Sequence, residues 1–89
     1  MEAPAKVYVA VLASFSEDGR LVPRRLRWED GRQFTIEKII DLRPAPAAKA
    51  GGQGDRYTIQ VNGRRSYLFF ERSASTRATN LGRWFVERK

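Results

Sequence analysis

The chain has 89 residues, enough for one domain around one modest core, and 42% of them are hydrophobic, which excludes compositional disorder. Seventeen Lys and Arg against ten Asp and Glu leave a net charge of +7, and the absence of cysteine excludes a disulfide frame or a thiolate metal site. For a chain without cysteine the cytoplasm is the expected compartment, and no apolar run approaches the ~20 residues that span a bilayer.

Lys6–Ala13 puts a lysine before a short apolar stretch, as signal peptides do. Glu2 dilutes that positive start, and the alternation of Val7, Val9 and Val11 predicts a strand over 6–15 instead. The next signals are turns. Ser16-Glu-Asp-Gly-Arg20 and Trp28-Glu-Asp-Gly-Arg32 are near copies, each with a Glu-Asp pair suited to a type I turn and a glycine for the left-handed residue that follows. They bound strands at 20–28 and 32–42. Within the second, Ile36, Ile39 and Ile40 have helical spacing, but three isoleucines and a threonine favour a strand with a bulge near Glu37 and Lys38.

Pro, Ala and Gly fill 44–54, which predicts a loop. Strands at 55–61 and 64–72 then flank Val61-Asn-Gly-Arg64, a two-residue hairpin turn in which both central residues tolerate positive φ. A polar loop at 73–80 precedes a last strand at 82–88. The fold class is therefore all-β: a single domain over 1–89, an antiparallel meander of about six strands curled into a partly open SH3-like barrel. A packed pair of three-stranded sheets is the alternative.

Side chains alternate across a strand, so turn register assigns faces. The second turn puts Leu26 opposite Phe34, with Ile36 on the same side. Unbroken pairing from the first turn adds Tyr8, Ala10, Leu12 and Val22, leaving Val9 and Val11 with Arg25, Arg27, Gln33, Thr35 and Glu37. The Asn-Gly turn groups Tyr57, Ile59, Val61, Ser66, Leu68 and Phe70 against Arg56, Thr58, Gln60, Arg65, Tyr67 and Phe69. The last strand sets Trp84 and Val86 against Arg83 and Phe85.

The chain lacks histidine as well as cysteine, so the commonest general base, metal ligand and nucleophile are missing, and an enzyme is not expected. The carboxylate pairs Glu17-Asp18 and Glu29-Asp30 belong to turns. Gly51–Gly54 lacks the Lys-Ser/Thr ending of a phosphate loop. No cofactor and no metal are expected. Thirteen of the seventeen cations are arginine, whose planar fork pairs with phosphate and stacks on rings. The candidate site is therefore a nucleic-acid-binding face, for RNA or a single strand: Arg56, Arg65, Tyr67 and Phe69, extended by Arg25 and Arg27 and by Arg64 and Arg72 at the strand ends. The competing readings are loop packing over Tyr67 and Phe69 with the arginines merely solvated, and a protein-interaction or scaffold module that uses an open strand edge or an apolar patch.

The series Trp28-Glu-Asp-Gly-Arg, Gly54-Asp-Arg-Tyr-Thr, Tyr67-Leu-Phe-Phe-Glu and Gly82-Arg-Trp-Phe-Val-Glu87 resembles a family of small uncharacterised all-β bacterial proteins, mainly from Gram-positive lineages, that carry a domain-of-unknown-function label. The likeness runs from about Val7 to Glu87. It implies a compact bacterial β domain and supplies no catalytic or binding residues.

Overall fold

The computed structural model describes residues 6–46, 53–73 and 81–87. Their strands are β1 (Lys6–Phe15), β2 (Leu21–Arg27), β3 (Gln33–Thr35), β4 (Lys38–Pro46), β5 (Gln53–Val61), β6 (Arg64–Arg72) and β7 (Gly82–Glu87). All pair antiparallel in one sheet of order β3-β2-β1-β7-β6-β5-β4, which curls into a half-barrel. Two meanders, β1–β3 and β4–β7, are thus joined by the pairing of β1 with β7, in which Val7 faces Val86 and Tyr8 faces Phe85.

The twin turns close identically. Ser16 N–H donates to the Arg20 carbonyl and Trp28 N–H to that of Arg32, while Gly19 and Gly31 take φ of 82° and 91° and donate back to residues 16 and 28. Asn62 and Gly63, at φ 52° and 74°, form the tight β5–β6 turn. Gly82 meets a different requirement. A Cβ there would lie 2.2 Å from the Glu71 carbonyl oxygen, so only glycine lets β7 approach β6 this closely.

The expected single strand over 32–42 is two strands on opposite edges of the sheet. Ile36 N–H donates to the Arg24 carbonyl of β2 at 2.9 Å, and the next amide, Glu37, donates to the Gln60 carbonyl of β5 at 2.8 Å. One residue step carries the chain from one edge to the other and pinches the half-barrel shut at that point. The irregularity in β4 falls at Ile40 rather than at Glu37 and Lys38. Strand count accordingly rises from six to seven among the described residues. The predicted loop over 44–54 is also shorter, because Pro44, Ala45 and Pro46 pair with Asp55, Gly54 and Gln53. Prolines are tolerated there since β4 is an edge strand. Of the 73–80 loop only Ser73 is described, its amide donating to the Leu81 carbonyl.

The largest correction concerns β1. Leu12 pairs with Arg25 but Ala13 pairs with Pro23, so Arg24 is an extra residue on β2. This bulge follows a proline, which cannot donate to the ladder. It moves the pairing by one residue and reverses every β1 side chain beyond it. Val11, not Ala10, faces Leu26; Val7, Val9 and Val11 point into the half-barrel, and Tyr8 and Leu12 lie exposed outside. The assignments for β3 and β5–β7 hold, as do those of β2 from Arg25 on, but before the bulge Leu21 and Pro23 turn inward and Val22, expected on the Leu26 side, turns outward.

The main core fills the concave side: Val7, Leu26, Ile36, Tyr57, Ile59, Leu68, Phe70 and Val86, flanked by Trp28, Phe34 and Trp84. Trp84 tilts against Phe70 and Tyr57, with ring centroids 4.8 and 5.4 Å away. A second, smaller core lies on the convex side, where Phe69 and Phe85 stack nearly parallel at 4.9 Å and are almost wholly buried.

Candidate nucleic-acid interface

The convex surface of β4, β5 and β6 is a grid fixed by strand register. One row reads Lys38, Gln60, Arg65; the next Asp41, Thr58, Tyr67; the third Arg43, Arg56, Phe69. Neighbouring strands lie about 4.8 Å apart and alternate residues about 7 Å apart along a strand, so these nine side chains share one compact patch.

Chemistry differs along the rows. Tyr67 is 49% exposed, and the Arg56 guanidinium lies over its ring at 4.5 Å. The Arg56 Nε–H is buried without a hydrogen-bond partner. Ring stacking rather than an acid therefore holds this arginine. Arg43 Nε donates to Asp41 at 2.6 Å, and that bond holds the aspartate carboxyl below its usual range. Lys38 and Arg65 are exposed and, among the described residues, form no ion pair. Gln60 stands between them, and Thr58 between Asp41 and Tyr67, as hydrogen-bonding groups able to meet base edges.

The eight residues singled out by sequence do not form one surface. Arg56, Arg65 and Tyr67 do come together. Phe69 shares their face but is 1% exposed, paired with the buried Phe85, and so is a core residue rather than a stacking ring. Arg64 and Arg72 alternate to the opposite side of β6, where Arg72 pairs with Asp55 at 3.1 Å. Arg25 and Arg27 are exposed on β2, separated from β6 on the convex surface by β1 and β7. Lys38 and Gln60 complete the patch. The sequence pattern alone puts Lys38 in a bulge and so misses it, because only the handover at Ile36 and Glu37 seats it opposite Gln60.

Beside this patch a charge cluster anchors β1, β6 and β7. Glu71 accepts from Lys6 Nζ at 2.7 Å, from the Tyr8 hydroxyl at 3.0 Å and from Arg83 at 3.3 Å. The lysine hydrogen bond, aided by the tyrosine and arginine donors, holds the Glu71 carboxyl below its ordinary range and raises Lys6. Lys6 Nζ also lies 4.7 Å over the Phe85 ring, and Arg83 lies 4.0 Å over Tyr8. The cluster roofs the second core, and its one acid is already shared among three donors.

Among the described residues no group of three or more Asp or Glu is placed to hold a metal ion, and no helix is long and apolar enough to cross a membrane. No family model, curated protein or solved structure matches this chain.

Proposed function

We propose that this protein is a nucleic-acid-binding module that takes single-stranded RNA or DNA across the convex face of β4–β6. The observation that carries the reading is the juxtaposition of Lys38, Arg56 and Arg65, none ion-paired among the described residues, around the half-exposed ring of Tyr67. A single strand presents phosphates to the three cations while an unstacked base lies on Tyr67, an interaction worth about 1–3 kcal/mol per base. Gln60 and Thr58 donate and accept hydrogen bonds at base edges. The remaining positive charge, Arg24, Arg25 and Arg27 included, draws the polyanion in from a distance without fixing its position. With such a partner and no cysteine, the chain works in the cytoplasm, and the bacterial β-domain family its hairpin motifs resemble suits that setting.

Fluorescence anisotropy of labelled single-stranded RNA and DNA oligomers, titrated at two salt concentrations of about 50 and 200 mM, tests the proposal. Three neutralised phosphates give a slope of log K against log salt of about −2, so affinity falls roughly twenty-fold between these conditions. Absence of binding at the lower salt, or an affinity indifferent to salt, overturns the reading.

A further inference from the structure

Tyr67 is not the only exposed ring on the convex face. Tyr8 of β1 is 42% exposed there, and the Arg83 guanidinium lies 4.0 Å over its ring, as that of Arg56 lies 4.5 Å over Tyr67. The same unit, a half-exposed tyrosine that carries an arginine, thus occurs twice on one side of the sheet. Register fixes their separation. Tyr8 pairs with Phe85 and Phe85 with Phe69, so the buried Phe69–Phe85 stack lies between the two units, and Tyr67 is two residues along β6 from Phe69. Two strand spacings across the sheet and two residues along it place the Tyr8 and Tyr67 Cα atoms roughly 12 Å apart.

The Tyr8 unit is rigid before any ligand arrives. Its hydroxyl donates to Glu71 at 3.0 Å, and its ring meets that of Phe85 edge-on, with centroids 6.1 Å apart. A ring already fixed in place gives up little conformational freedom when a flat group stacks on it. Its charge environment differs from that of Tyr67. Lys38 and Arg65 stand near Tyr67 without ion pairs among the described residues, whereas Lys6 and Arg83, the cations beside Tyr8, both bond Glu71, and Glu87 stands opposite Lys6. With two acids against two cations, the Tyr8 end does not draw a phosphate. It suits a flat, uncharged group, which in a polyanion is the nucleobase. The spacing agrees. Neighbouring bases in a stack lie about 3.4 Å apart, so one stack does not serve both rings. An unstacked single strand covers the distance in about two nucleotide steps.

We infer that Tyr8 with Arg83 is a second base-stacking platform, so that a single strand crosses the convex face diagonally with one base on Tyr67, the base two steps on at Tyr8, and its phosphates held at the β4–β6 end. This extends, and rests on, the single-strand reading of the β4–β6 face. The test is fluorescence anisotropy at about 50 mM salt with labelled hexanucleotides that are abasic at every position but two, where uracils stand one, two or four steps apart. All three carry the same phosphates, so only stacking differs between them. The two-step strand should bind roughly ten-fold tighter than the other two, the effect of one more stacked base. Tyr8→Leu should abolish that preference and leave the salt slope at about −2, because no phosphate contact is lost. Tyr8→Phe keeps the ring and should keep the preference. Any other order of the three strands on the unaltered chain, a two-step preference that survives Tyr8→Leu, a shallower salt slope in that variant, or loss of the preference in Tyr8→Phe overturns the inference. The series on the unaltered chain decides the matter even where Tyr8→Leu fails to fold. Hexauridylate bound with no spacing preference among the abasic strands removes the second platform alone; hexauridylate left unbound removes the β4–β6 reading with it.

Discussion

Phe69 and Tyr67 are two residues apart on one face of β6 and have opposite roles. Phe69 is enclosed against Phe85, whereas Tyr67 stands half in solvent with a guanidinium on its ring. Truncating a fully buried phenylalanine removes both transfer energy and packing. Phe69→Ala is therefore expected to cost about 3–5 kcal/mol in urea unfolding. Tyr67→Ala should leave stability within about 1 kcal/mol while weakening oligonucleotide binding, since surface substitutions alter folding little. The difference is not legible in the sequence. Both aromatics fall at alternating positions, and only the register of β7, the next strand along the chain, decides which ring is covered. Glu71 likewise depends on partners from other strands. Its folded carboxyl is depressed below its unfolded value, so its contribution is complete above about pH 4.3 and is lost as pH falls through the lower, folded-state value. Glu71→Gln should cost about 1 kcal/mol at neutral pH and flatten the acid limb of a stability-against-pH curve measured by thermal unfolding. An acid limb unchanged by the substitution would place the acid sensitivity elsewhere.

At the scale of elements, the turns carry most of the legible information and the bulges carry what the sequence hides. Gly19, Gly31 and Gly63 each reverse the chain where a glycine after Asp or Asn says it must, and the pairings that follow from the second and third turns are those found. The first turn also forms as expected, yet the face it implies for β1 is reversed. A turn sets register only as far as the ladder stays regular, and the Pro23-Arg24 bulge ends that regularity after three pairs. Pro23 is the available signal, since a proline inside an otherwise good strand marks an edge or a bulge. Deleting Arg24 provides the test. It removes the extra residue and leaves Ala13–Pro23, Leu12–Arg25 and Val11–Leu26 as one continuous ladder, so Val7, Val9 and Val11 stay inside. The deletion variant should keep a cooperative transition, at a cost of about 1–2 kcal/mol for the displaced Ile36 to Arg24 bond, and bind no hydrophobic dye. Loss of the cooperative transition would mean that the facing of β1 depends on the bulge itself rather than on these pairs. The crossing at Ile36 and Glu37 is hidden for another reason: no local rule distinguishes a bulge within one strand from a transfer between two sheet edges.

For the whole molecule, the half-barrel separates two surfaces with different chemistry. The convex side collects cations, amides and two exposed rings, Tyr8 and Tyr67; the cleft over Tyr57 and Phe70 on the concave side collects the apolar side chains Phe15, Leu42 and Leu81. Composition conveys the excess positive charge but not its distribution, because ion pairs such as Lys6–Glu71 and Arg72–Asp55 spend acids at particular places and leave other cations unpaired among the described residues. The binding face rests on the position of charge rather than its total. The decisive measurement compares two variants by single-strand anisotropy at low salt: Lys38→Glu with Arg65→Glu on the convex β4–β6 face, and Arg25→Glu with Arg27→Glu on β2. Each lowers net charge by the same amount. The β4–β6 pair should lose at least about thirty-fold in affinity and the β2 pair no more than about three-fold, since contacts held at short range outweigh long-range attraction. Equal losses in the two variants would contradict a defined binding face and leave only diffuse attraction of a basic protein for a polyanion.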